Sequence, residues 1–297
     1  MQRTTDNGQR TTLPKILLCL DTDPQPSVFD AVVAVDAGAD QLLRHGNVQP
    51  DSVRDLVYGA MFTRGPADLK NTAIFIGGRD VDAGEKLLSK AKECFFGPMR
   101  VSVMIDSNGA NTTAAAAVLS ARKHFHLRGC VVTILAATGS VGRRVARILE
   151  IEGASIRVAS RQLDRAQKVC DDIQHDAADV DISAYETRDN DSLVSALESA
   201  EVVIAAGAPG IELLPEDVRR SCKSLKVVID LNAVSPVGIA GIKPQDKATD
   251  QDGQICYGAI GVGGLKMKLH KAAIRRLFES NDVVLDAEQI HELGAQL

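Results

Sequence analysis

The chain has 297 residues, 45% hydrophobic and 25% charged, long enough for two domains of ordinary size and a soluble globular composition, not a disordered one. Its formal net charge of -5 argues against the basic face of a protein that grips nucleic acid or an anionic membrane surface. No apolar run approaches the roughly 20 residues needed to span a bilayer.

The N-terminal MQRTTDNGQRTTLP lacks the apolar centre of a secretory signal and reads as a flexible tail over residues 1–14. KILLCL (15–20) reads as a strand, and VFDAVVAVDAG after DTDPQPS reads as a helix. DSVRDLVYGAMF is a second helix, AIFIGG a strand and turn, and DAGEKLLSKAKECFF an amphipathic helix. VSVMID (101–106) is a third strand, and AAAAVLSARKHF a helix that Asn111 or Thr112 would cap. A second series follows: CVVTILAA, GRRVARILEIEG, SIRVASR and LDRAQKVCDDIQ alternate strand with helix. VVIAAG (202–207) and KVVIDLN (226–232) are further strands, then come a long helix GGLKMKLHKAAIRRLFES and a last one, LDAEQIHEL, with Asp286 as cap. Such alternation implies parallel strands with helices on both faces, and unbroken Val/Ile runs suit strands covered on both sides.

The six cysteines (Cys19, Cys94, Cys130, Cys170, Cys222, Cys256) form no CxxC pair, and the histidines do not join them at ligand spacing. Reduced thiols in a cytoplasmic protein are expected, with neither disulfides nor a metal site.

ATGSVG (137–142) sits between a strand and a helix, the context that a dinucleotide loop requires. Gly139 would let the backbone approach a pyrophosphate, and Gly142 would let the helix pack close to the sheet. Thr138, Ser140 and Val141 complete the loop, and alanine at 137 replaces the usual first glycine. The other reading is a plain strand-turn-helix corner. About twenty residues on, an NAD site offers Asp or Glu to the ribose, whereas this strand ends in Ser160-Arg161-Gln162, with Arg165 one turn beyond. A hydroxyl and a guanidinium suit a 2′-phosphate and favour NADP; a solvated arginine at a strand end is the alternative. Ala206-Gly207 and Asp230-Leu231-Asn232 end two further strands and would reach the nicotinamide side of the same edge.

DTDPQPSVFDAVVAVDAGAD, TAIFIGG, FFGPMRVSVMIDSNGANTTAAAA, DLNAVSPVGIAGI and YGAIGVGGLKMKLHKAAI resemble the methylene-tetrahydromethanopterin dehydrogenases of methylotrophic bacteria and their relatives. The likeness runs from about Lys15 to the C-terminus and is closest to the NADP-specific branch, whose loop reads GTGPVG where this chain has ATGSVG. It implies an α/β fold of two domains with a cleft between them. An N-terminal substrate domain (15–122) would be completed by the C-terminal helices (266–297), and a Rossmann-like NADP-binding domain with a parallel sheet (123–265) would be inserted. It also implies hydride transfer from the methylene bridge of methylene-tetrahydromethanopterin, or of methylene-tetrahydrofolate, to NADP+ in one-carbon metabolism, by a homo-oligomer.

On that resemblance Lys266, in GGLK, matches the lysine of the substrate site, with a surface role as the alternative. Lys268, two positions on, cannot share its helical face. Asp21 and Asp23, after the first strand, would bind the pterin's amino and amide groups or offset the product cation, although Asp23 could instead cap a helix. Asp106 and Asn108 would approach the same site, or shape the turn before the alanine-rich helix. A packing or surface role is expected for His270. Two other classes stay open: an NADP-dependent dehydrogenase of another substrate, such as a shikimate-type enzyme, and a non-enzymatic NADP-binding sensor.

Overall fold

The computed structural model describes residues 13–297, so the tail reading of residues 1–12 lies outside the described residues. The chain divides into two compact units. One runs to Gly109 and takes up His270–Asp286, and the other comprises Ala110–Leu269 and Ala287–Leu297. Among the described residues no helix is long and apolar enough to cross a membrane.

The first unit alternates strand and helix as its sequence requires: β1 (Ile16–Asp21), α1 (Val28–Asp36), β2 (Gln41–His45), α2 (Pro50–Met61), β3 (Thr72–Gly77), α3 (Val81–Glu93) and β4 (Ser102–Ile105). A short strand, Val284–Leu285, pairs with β4, giving the order Val284–Leu285, β4, β3, β1, β2 with every pair parallel. Because side chains alternate, Leu18, Leu20, Ile74, Ile76, Val103 and Ile105 pack into one cluster with Val53, Val57 and Met61 of α2 and Leu87 and Leu88 of α3. Leu17 and Cys19 are buried on the opposite face, which is why the run ILLCL (16–20) has no polar position. β2 was not expected. QLLRH has no β-branched residue, and its place at the sheet edge leaves Leu43 exposed.

The second unit begins with α4 (Ala110–Arg122) and continues through β5 (Val131–Leu135), α5 (Ser140–Glu152), β6 (Ser155–Ser160), α6 (Leu163–Asp176), β7 (Ile182–Glu186), α7 (Asn190–Leu197), β8 (Val202–Ala205), α8 (Glu216–Ser221) and β9 (Val227–Asp230). A hairpin, β10 (Lys247–Gln251) and β11 (Gln254–Tyr257), then leads to α9 (Ala259–Arg276), which belongs to this unit as far as Leu269 and to the first from His270, and α10 (Ala287–Gly294) closes the unit. The sheet order is β10-β11-β9-β8-β5-β6-β7, antiparallel only between β10 and β11. The chain winds outward from β5 to β7 and then returns to β8, so strand order reverses between β5 and β8. Ligands of open α/β sheets bind at the carboxyl ends of strands at such a reversal.

Several local expectations are corrected. The alanine-rich helix and the last helix were assigned to the first domain, yet α4 and α10 belong to the second unit. Gly294 of α10 lies so close to the side chains of Leu119 and Leu269 that no Cβ would fit there. Asn111 and Thr112 are not caps but buried residues inside α4. The long helix begins at Ala259, four residues before the Gly263 start that the sequence suggests. A side chain at Gly258 or Gly261 would run into the carbonyl of Lys243 or Asp246, so the glycines let the helix start against that loop.

Candidate functional site

The turn after β5 has the shape of a phosphate corner. Ala136 holds the left-handed conformation (φ 55°), and the buried Ala137 donates its N–H to Ala159 O at 3.0 Å. Gly139 is the N-cap of α5 with extended backbone (φ -77°, ψ 171°), and no acidic residue occupies the first helical turn. The first amides of α5 therefore lack intrahelical acceptors and present a positive dipole end, which suits an anion. The two glycines differ in kind. A Cβ on Gly142 would sit 2.6 Å from Ala137 Cα, so helix packing demands glycine there. A Cβ on Gly139 would meet nothing nearer than 3.8 Å. The fold alone does not require that second glycine; an approaching phosphate would.

Beside this corner the second unit has a cavity of about 620 Å³. Thr138, Ser160, Arg161, Gln162, Arg165, Thr187 and Arg188 give it a polar side, and Ala136, Ala208, Ile211 and Leu213 an apolar one. Three arginines and no carboxylate line it, a donor set that fits an anion. The buried Ser160 hydroxyl accepts the Gln162 N–H at 3.3 Å, which fixes it at the strand end. Gly207, on the loop after β8, is held so close to Leu213 that a Cβ would lie 2.7 Å from Leu213 Cδ1. Ala206 donates its N–H to Leu135 O at 3.0 Å, tying the β8 loop to the end of β5.

Asp230, at the end of β9, is buried and accepts the N–H groups of Asn232 and Ile239, each at 2.9 Å. Burial pushes its carboxyl up from the usual carboxylate value, against the lowering effect of those hydrogen bonds. Asn232 uses both ends of its amide inside its own loop: Oδ1 accepts the Val234 N–H at 2.9 Å and Nδ2 donates to Pro236 O at 3.1 Å.

Lys266 sits in the middle of α9, not at its start, and donates from Nζ to Thr112 Oγ1 at 2.8 Å. Lys268 is exposed, as its spacing predicts. Next to Thr112, Asn111 accepts a hydrogen bond from the Nε of buried Arg144, whose Nη1 donates to Ser140 O at 3.0 Å. These contacts link α4 both to Lys266 and to the first turn of α5. Sequence reading missed Asn111, Thr112 and Arg144 as a group, although the run GSVGRR did place an arginine in the loop helix.

In the first unit, Asp21 ends β1 and Asp106 follows β4, the two strands that flank β3. Asp21 is buried and accepts the N–H groups of Asp23 (2.8 Å) and Ser27 (3.0 Å), so its carboxylate shapes the turn into α1. Ser27, not Asp23, caps α1, by accepting the Asp30 N–H at 3.2 Å. Asp23 is half-buried and accepts from Arg79 Nε at 3.0 Å. Asn108 takes a left-handed φ of 54°, rare for a residue with a side chain, and donates its N–H to Gly78 O at 2.7 Å. His270 is fully buried, with Nδ1 3.9 Å from Asp106 Oδ2 and its ring stacked on Phe75 at 5.6 Å. Of the two roles expected for His270, the structure gives it packing.

A reversal-point sheet with a glycine-bearing phosphate corner and a cavity lined by arginines defines an NAD(P)-dependent dehydrogenase. The family model for the N-terminal part of methylene-tetrahydromethanopterin dehydrogenase matches residues 28–108. The bifunctional protein MdtA of Methylorubrum extorquens is 45% identical over 285 residues, covering 95% of this chain and 99% of its own. The NAD(P)-dependent methylenetetrahydromethanopterin dehydrogenase of the same organism is 29% identical over 281 residues, covering 91% of this chain and 94% of the relative. The chain belongs to the methylene-tetrahydromethanopterin dehydrogenase family, enzymes of one-carbon metabolism. Its fold is also that of the Trypanosoma brucei methylenetetrahydrofolate dehydrogenase-cyclohydrolase, with a TM-score of 0.51 at 15% identity over 92% of this chain and 88% of that one.

Proposed function

We propose that the enzyme moves a hydride reversibly between the methylene bridge of methylene-tetrahydromethanopterin and NADP+, giving the methenyl form, with methylene-tetrahydrofolate as a second carrier. The observation that carries NADP rather than NAD is the cavity beside the phosphate corner, where Ser160, Arg161 and Arg165 stand and no carboxylate does. Bound NADP+ supplies the hydride acceptor. The chain's part is to hold and orient: the amides at Gly139, Ser140, Val141 and Gly142 and the Thr138 hydroxyl take the pyrophosphate, and Ser160, Arg161 and Arg165 take the 2′-phosphate. Ala206 and Gly207 offer backbone to the nicotinamide side, with Asn232 bracing the adjacent loop.

The cofactor contacts are assigned to the second unit, and the pterin contacts to Asp23, Asp106 and Asn108, with Asp21 fixing the turn that presents Asp23. Lys266 is assigned to the pterin or its bridge nitrogen. Loss of hydride from a carbon between two nitrogens leaves a cation that the adjacent lone pair stabilises, so no strong general base is needed and positioning dominates.

The homo-oligomer is supported by an exposed apolar face on α1, made by Val28, Phe29, Val32 and Val35, and by the edge strand β2 with Leu43 exposed. A cytoplasmic location is supported by six free cysteines, four of them buried.

Following NADP+ reduction with each methylene carrier tests the reaction, and no turnover with either refutes it. Arg161→Ala should abolish the preference for NADP+; unchanged affinity would refute the cofactor assignment. Lys266→Ala should lose most activity while still binding NADP+.

A further inference from the structure

Resting on the NADP reading, we infer that Arg188 determines cofactor specificity by masking Glu186 and adding a third guanidinium to the 2′-phosphate cradle. β7 lies beside β6, with Glu186 paired in register with Ser160, and Thr187 donates its N–H to Ser160 O at 2.9 Å. Adjacent strands are about 4.8 Å apart, so the Glu186 backbone is one strand spacing from the residue that would meet the 2′ position. An unneutralised carboxylate there would repel a 2′-phosphate and favour a ribose diol, as the acidic residue of an NAD site does.

Arg188 Nη2 donates to Glu186 Oε1 at 2.7 Å. That bond engages one of the five N–H donors of the guanidinium, while Arg188 itself lines the cavity with Arg161 and Arg165. The next acid along the chain, Asp189, is committed elsewhere: it caps α7 by accepting the Ser192 N–H at 2.9 Å, and that hydrogen bond holds its carboxyl below the usual range. The Glu186–Arg188 pair joins an exposed arginine to a half-buried carboxylate and contributes little to stability. Its consequence is electrostatic, at one position of the cofactor.

Calorimetric binding of 2′,5′-ADP and 5′-ADP to the whole protein tests this without turnover, because only the first probe carries the 2′-phosphate. Arg188→Ala should weaken 2′,5′-ADP about five- to tenfold and leave 5′-ADP unchanged, the size of one solvent-exposed charge contact to phosphate. Adding Glu186→Gln to that variant should recover part of the loss, since the unmasked carboxylate is then gone. If Arg161→Ala weakens 2′,5′-ADP and Arg188→Ala does not, this inference is wrong and the NADP reading stands. An equal loss for both probes places Arg188 on the shared part of the nucleotide and also overturns the inference. If neither arginine matters, the NADP reading itself falls.

Discussion

Lys266 Nζ donates to Thr112 Oγ1 at 2.8 Å, and the neighbouring Asn111 accepts from Arg144, which holds the first turn of α5 through Ser140 O. Two consecutive residues of α4 thus serve the lysine assigned to substrate and the helix assigned to phosphate. A hydrogen bond to a charged group contributes about 1.5–3 kcal/mol, enough to decide where a flexible lysine stands. Thr112→Val keeps the shape and removes the acceptor; it should lower kcat about tenfold and leave NADP+ affinity unchanged. Thr112→Ser keeps the hydroxyl and should restore most of kcat. Equal kcat for both variants would show that Thr112 only packs.

The left-handed residue of the phosphate corner is Ala136, not Ala137, where the family's loop has glycine. A left-handed alanine costs roughly 1–2 kcal/mol, so Ala136→Gly should raise stability by up to about 1 kcal/mol after the added entropy of the unfolded glycine. Ala137→Gly relieves nothing, because Ala137 is buried and has no positive φ; it should lower stability slightly and leave NADP+ affinity as it was. Urea unfolding of both variants checks this, and a reversed order would contradict the turn geometry.

The glycines of the corner separate fold from ligand. Gly142→Ala brings a Cβ within 2.6 Å of Ala137 Cα and should cost about 1–3 kcal/mol, lowering Tm by several degrees. Gly139→Ala meets only ordinary contacts at 3.8 Å, so it should unfold like the parent. It should nevertheless bind NADP+ at least tenfold more weakly, because the methyl occupies the approach of the pyrophosphate. Normal binding by Gly139→Ala would remove the phosphate from this turn.

What was legible in the sequence follows from how each signal arises. Strands buried on both faces, such as ILLCLD and VVIA, leave unbroken apolar runs, and the strand-turn-helix at ATGSVG keeps its glycines for steric reasons. Edge and hairpin strands left no such mark. ISAYE and KATDQ carry polar residues because one face or edge meets solvent, so β7 and β10 went unread, and Arg188 at the end of β7 with them. The lysine was found by resemblance, but its Thr112 partner is 154 residues away in the chain, and no local pattern encodes that distance. α4 groups with the second unit although the sequence places it with the first, because its near-uniform run of small alanines marks no face for one partner.

Thiol chemistry offers an independent check on burial. Burial pushes the Cys19 thiol up to about 12 and those of Cys170 and Cys256 to about 11, because a thiolate there would lose its hydration. At pH 8 about one Cys19 in ten thousand is thiolate, so native labelling should spare these three. Cys130 and Cys222, less buried, should react first, and denaturant should expose all six. Rapid native labelling of Cys19 would contradict the packing of β1.

Asp230 makes a prediction about pH whose sign is fixed by burial. Its folded pKa lies above the ordinary carboxylate value of 3.8, chiefly through desolvation, so the native state binds that proton more tightly than the unfolded chain does. Its contribution to stability is therefore full below about pH 3.8, falls as pH rises from there through the folded value, and is flat above it. Other carboxylates titrate in the same range, so the term must be isolated by difference. Asp230→Asn removes the titration and one of the two acceptors for the Asn232 and Ile239 N–H groups, making the variant less stable throughout. The stability gap between parent and variant, measured by urea unfolding, should narrow as pH rises across this window and stay constant towards neutrality. A gap that widens with pH would mean that Asp230 is stabilised as a carboxylate, with its backbone hydrogen bonds outweighing the loss of solvent.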